Sequence, residues 1–179
     1  MWRVVNNGKM VIYADDIALY KIIQSPVDYL LVQEDINAIS EWVSDNYLFL
    51  NFLKFCHLLF FWKETPNPAW CSSDDQWKWY INNVTAVKYL GVILTSNISW
   101  SNHISAISSK ARKLIGVLYW KFYHHSDPQT LLCLYQSLIR PHLEYACSIW
   151  DPHLKKDIEM LESVQKFGLK VCLKQWHST

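Results

Sequence analysis

At 179 residues the chain has room for one ordinary domain or two small ones, and 51% of it is apolar. Ten Trp and ten Tyr supply bulky core material, while four Gly and six Pro are too few for a disordered or low-complexity chain. The net charge of +1 hides an asymmetry: residues 1–100 hold seven Lys and Arg against ten Asp and Glu, a net of −3, and residues 101–179 hold ten against six, a net of +4. A positive C-terminal half suits a polyanion partner or, equally, a solvated helix face.

Met10–Tyr13 and Ile17–Tyr20 are two short apolar runs separated by Ala14-Asp15-Asp16, a hairpin with acids at its tip. Ser25-Pro26 then supplies an N-cap and a first-turn proline, followed by Asp28. Tyr29, Val32, Ile36, Ile39 and Val43 recur at 3,4,3,4 spacing, which predicts a helix to about Asn46. Leu48–Leu50 and Phe55–Phe61 read as buried strands, Lys63–Trp77 as a loop, and Val87–Leu94 as a further strand. After Trp100 the pattern is helical throughout. Ile104, Ile107, Ala111, Leu114 and Leu118 form one stripe. Ser126-Asp127-Pro128 starts a second helix towards Arg140, broken or kinked by Pro141. Asp151-Pro152 opens a third, with Ile158, Leu161, Val164 and Val171 on its inner side. The composition boundary falls near residues 97–101.

Cys56, Cys71, Cys133, Cys147 and Cys172 are odd in number, widely spaced and without a C-x-x-C pair. They suit a reducing, intracellular compartment, nuclear or cytoplasmic, rather than a disulfide scaffold or a structural zinc site. His124-His125 lacks partners at metal-ligand spacing. The most hydrophobic stretch, Leu48–Trp62, is interrupted by Asn51, Lys54 and His57 and is shorter than the ~20 residues of a membrane helix. No signal peptide is visible, and no membrane partner is expected.

Adjacent aspartates are a common turn dipeptide, and a purely structural turn is one reading of Asp15-Asp16. The other is chemical. At a hairpin tip both carboxylates can reach to one side, as oxygen ligands for Mg²⁺, with the small Ala14 leaving room for a substrate. Tyr13-Ala14-Asp15-Asp16 resembles the Y-x-D-D box of reverse transcriptases. Leu50-Asn51-x-x-Lys54 is similar to the next block of that fold, and Val87-Lys88-Tyr89-Leu90-Gly91-Val92 to its primer-grip strand. Trp100-Ser-Asn-His103-Ile104, Ser109–Leu114, Leu134–Ala146, Trp150-Asp-Pro-His153 and Leu161–Lys166 follow in order. Together they resemble the C-terminal part of a non-LTR (LINE-type) retrotransposon polymerase, over residues 10 to 176.

The resemblance implies an α+β fold: an unmatched segment 1–9, a partial palm of antiparallel strands plus helix over 10–97, and a helical thumb-like region over 98–179. It implies Asp15 and Asp16 as Mg²⁺ ligands of a two-metal phosphoryl-transfer site, with Lys54 facing the triphosphate. Tyr89, Leu90 and Gly91 would steer the primer terminus. Lys110, Arg112 and Lys113 would meet the template–primer duplex, of RNA or DNA, although an ordinary exposed helix face accounts for them equally. The departures bear on activity. A two-metal site needs another aspartate from an earlier strand, and Met1–Ile12 contain no acid. Met1–Lys9 resembles nothing in the family, and Phe52 stands where proline is usual. The expectation is a truncated reverse transcriptase fragment, inactive alone, binding nucleic acid weakly and self-associating through an incomplete sheet. The alternative is a protein-interaction module or a translated relic without selected function.

Overall fold

The computed structural model describes residues 4–51, 54–60 and 82–174. In chain order these form β1 (Lys9–Tyr13), β2 (Asp16–Tyr20), α1 (Val27–Asp45), β3 (Cys56–Leu58), β4 (Asn82–Val84), β5 (Ala86–Tyr89) and β6 (Val92–Thr95), then α2 (Ser101–Phe122), α3 (Pro128–Leu134), a π-helical turn (Tyr135–Ile139), α4 (Arg140–Glu144), α5 (Cys147–Trp150) and α6 (Lys155–Cys172). The expected loop over Lys63–Trp77 lies outside the described residues. The chain divides into two compact units, Met1–Phe55 and Cys56–Thr179.

In the first unit β1 and β2 form the expected antiparallel hairpin, with Met10 opposite Leu19 and Ile12 opposite Ile17. Among the described residues the sheet has only these two strands, so each keeps an unpaired edge, and Val11, Ile12, Tyr13 and Tyr20 are exposed. The 3.6-residue stripe makes α1 as predicted, with Ile39 and Val43 buried. Its start is held by Asp28, whose Oδ2 accepts from the backbone N–H groups of Gln24 and Ser25 and from the Ser25 hydroxyl. Its end is a Schellman turn. Leu48 N donates to Val43 O, Tyr47 N donates to Ser44 O, and Tyr47 takes the left-handed conformation at φ 55° that glycine usually fills. That turn corrects the reading of Leu48–Leu50 as a buried strand: no strand forms, and Phe49 is 99% exposed.

Asp35 gives this unit its buried polar joint. It is 1% exposed in the middle of α1. Its carboxylate accepts from Asn6 N at 2.9 Å, from Asn7 N at 3.1 Å and from Gly8 N at 2.6 Å. The segment Asn6–Gly8 is therefore tied into the unit by three charge-assisted bonds.

In the second unit β3 pairs with β4 in parallel, whereas β5 and β6 form an antiparallel hairpin. Two expectations are corrected here. Among the described residues of the whole chain the strands make three two-stranded sheets, one of them parallel, rather than one antiparallel group. Val87–Leu94 is two strands, because Leu90 and Gly91 both adopt positive φ and reverse the chain. The strand expected over Phe55–Phe61 is confined, among the described residues, to Cys56–Leu58.

The helices pack around Ala111, Ile115 and Leu118 of α2, Leu131 of α3, Tyr135 and Ile139 of the π-helical turn, and Val164 and Val171 of α6. Asp127 caps α3 as expected, accepting from Gln129 N and Thr130 N. Pro141 does not end the helical path. It sits in the first turn of α4, where its missing N–H costs little, and the wider turn before it relieves the carbonyl its ring would meet. The final helix starts at Lys155 rather than at Asp151-Pro152. Trp150 is buried, with its indole N–H donating to Tyr145 O at 2.8 Å, and Asp151–Leu154 connect it to α6. The inner side of α6 runs through Asp157, Leu161, Val164, Gly168 and Val171, so Ile158 is exposed. Val92 of β6 shares a small core with Ile104 and Trp150, so strand and helix are packed together across Trp100.

Candidate functional site

The register that pairs Tyr13 with Asp16 leaves Ala14-Asp15 as a two-residue loop. Ala14 has φ 53°, a conformation costing an L-residue about 1–2 kcal/mol, and the strands on either side hold it there. Asp15 lies in this turn and Asp16 opens β2, both exposed. The structure thus places both residues at the tip. It does not bring Lys54 into an ion pair with either, among the described residues. Lys54 is exposed, and its backbone N–H donates to Asn51 O at 3.0 Å. Two neighbouring carboxylates are suitable oxygen donors for Mg²⁺. A two-metal site needs more, and among the described residues no three His, Cys, Asp or Glu are gathered for a metal ion. The pair alone does not fit that arrangement.

Tyr89, Leu90 and Gly91 occupy the β5–β6 turn. Leu90 has φ 44° and Gly91 φ 85°, as a two-residue hairpin loop with both residues left-handed requires. Tyr145 clasps this turn. Its hydroxyl donates to Leu90 O at 2.9 Å, and a Cβ on Gly91 would lie 3.0 Å from its Cε1. On β6, Ile93 N donates to His103 Nδ1 at 3.3 Å, an acceptor role that this nitrogen plays in the neutral imidazole. Burial, and secondarily the Lys88 charge, hold the His103 pKa below its ordinary value. The segment expected to steer a primer is thus docked on the helices through Tyr145 and His103, two anchors that sequence reasoning missed.

On α2 the three basic candidates do not form one stripe. Lys110 Nζ lies 3.3 Å from His142 Nδ1, while the Arg112 guanidinium donates to Ser163 Oγ at 2.8 Å on α6. Lys113 points between these directions, since successive residues turn by about 100°. The charge pattern is clearer than the geometry. The 22 residues of α2 contain Lys110, Arg112, Lys113 and Lys121 and no acid. Neighbouring acids are engaged elsewhere: Glu144 with Arg140, Glu159 with Lys155, Glu162 with Lys166, and buried Asp157 with the Ser101 hydroxyl.

Comparison with known proteins adds one result. Over 137 residues, 75% of this chain, it is 25% identical to the probable RNA-directed DNA polymerase from transposon X-element of Drosophila melanogaster. The relationship is reverse-transcriptase-like. It supports a retroelement origin, and the chain spans about 14% of the length of that polymerase. No family model matches the chain. No solved structure matches it either.

Proposed function

We propose that the chain is a piece of a LINE-type reverse transcriptase. Residues 10–97 are its partial palm, with the Tyr13–Asp16 box, and residues 98–179 its thumb-like region. It does not polymerise alone, and it holds template–primer duplex weakly through α2. The observation that carries this reading is the exposed Asp15-Asp16 pair at a hairpin tip, in a chain similar to an RNA-directed DNA polymerase. Duplex binding is supported by the four cations of α2 and the absence of acids among them. The apolar residues exposed on the hairpin favour a second reading, a protein-interaction module.

Salt titration separates the two. Association of a labelled duplex with the full chain should fall steeply between about 50 and 200 mM salt, because each phosphate neutralised releases counterions. Replacing Lys110, Arg112 and Lys113 by Ala should flatten the log–log slope by about 0.9 for each phosphate no longer neutralised. Parent and variant titrating alike would reduce α2 to a solvated face. Absence of duplex binding would leave the interaction module as the better reading.

A further inference from the structure

Trp120 is the anomaly of the helical unit. Ile104, Ala111, Ile115 and Leu118 define the buried side of α2. At about 100° per residue, Lys113 and Trp120 fall opposite it, with Val117 between them and Lys110 and Lys121 along one flank. Trp120 is 83% exposed, a large apolar ring held in water, with Lys121 next to it in sequence and Lys113 two turns earlier on the same face. It is also propped. The Tyr119 ring stands edge-on to it at 6.1 Å and 85°, and Tyr119 in turn lies 4.6 Å from Tyr123. Lys174 Nζ caps this group, 5.6 Å from the Tyr123 centroid. The face is open beside it, since a Cβ on Gly116 would meet nothing within 4 Å.

We infer that the solvent face of α2 is a track for single-stranded nucleic acid, with Trp120 stacking one base while Lys110, Lys113 and Lys121 hold neighbouring phosphates. This rests on the proposed function and goes beyond it, adding an unpaired strand to the duplex as a second ligand of the same helix. Bases within a duplex are already stacked on each other, so an exposed indole gains only from one that is not. Phosphates supply the charge that the lysines complement, and every base has a face for the ring, so the contact tolerates any sequence. From Lys110 to Lys121 the helix extends about 16 Å, the reach of a few nucleotides.

The test is fluorescence anisotropy of the full chain with a labelled single strand and with a blunt duplex of the same sequence. Trp120→Ala should weaken single-strand binding about tenfold or more and leave its salt slope unchanged, because base stacking on the indole neutralises no phosphate. Trp120→Phe should restore most of that loss, and duplex binding should not change in either variant. Circular dichroism should match the parent, since the side chain is exposed. Three outcomes would overturn the inference: Trp120→Ala titrating like the parent on the single strand, an equal loss on both ligands, or Trp120-dependent binding to anionic lipid vesicles only. If the basic triple variant still flattens the duplex slope, the proposed function survives that failure. If neither nucleic acid binds, both fall.

Discussion

Replacing Gly168 by Ala should lower the melting temperature of the helical unit, whereas the same substitution at Gly116 should raise it. Both glycines lie inside helices, where Ala is intrinsically favoured by about 1 kcal/mol. Their surroundings decide the sign. A Cβ at Gly168 would lie 2.5 Å from Tyr135 Cε2, 3.1 Å from its Cδ2 and 3.3 Å from Ile115 Cδ1. Tyr135 is buried and its ring is rigid, so either the ring or α6 must move. Overpacking of this kind costs about 1–3 kcal/mol and outweighs the propensity gain. At Gly116 nothing opposes that gain. Thermal unfolding should show Gly168→Ala melting roughly 5 °C lower and Gly116→Ala a few degrees higher. Gly168→Ala melting at or above the parent temperature would mean that α6 does not seat against Tyr135 as described.

Asp35→Ala should unfold the first unit without disturbing the second. The carboxylate accepts from three backbone N–H groups, at Asn6, Asn7 and Gly8, on the approach to β1. Hydrogen bonds to a charged group contribute about 1.5–3 kcal/mol each, and buried donors left without an acceptor cost more. A unit of this size has a total stability of only about 3–8 kcal/mol. Hydrogen exchange should therefore show amide protection lost across β1, β2 and α1 and retained in α2 and α6. Asp35→Asn should fall nearly as far, because it removes the charge and turns one acceptor into a donor. Unchanged protection of β1 in Asp35→Ala would mean that Asp35 does not hold this unit together.

What was legible in the sequence was what repeats. The 3.6-residue apolar stripes of α1 and α2 run along one side of each helix, and burial follows them. The first hairpin is marked by two apolar runs around Ala14-Asp15-Asp16. Single-residue geometry was hidden. Leu90 gives no sign that it will adopt positive φ, so β5 and β6 read as one strand. Tyr47 does the same at the end of α1 and turns the apolar Leu48–Leu50 into a connection with Leu48 and Phe49 exposed. The π-helical turn has no period of its own to detect. At the candidate site, the carboxylates were visible through their resemblance to a known box. Asp35 was not, since an acid in a helix ordinarily reads as solvated. Trp120 did leave a signal: its phase places it opposite Ile104, Ala111 and Leu118. Lys110, Arg112 and Lys113 were grouped by proximity in sequence, yet helical phase directs Arg112 towards Ser163 and away from Lys110.

If the chain holds nucleic acid without polymerising, the reason we propose is that no further carboxylate is gathered beside Asp15 and Asp16 among the described residues, as a two-metal site requires. Primer extension probes this most directly. The full chain should be given a labelled primer on an RNA or a DNA template, with Mg²⁺ or Mn²⁺ and deoxynucleotides, at a salt concentration where it binds that duplex. Bound primer and no added nucleotide are expected, for the parent and for Asp15→Ala alike. Extension by the parent that disappears in Asp15→Ala would contradict this and make the hairpin tip a working active site.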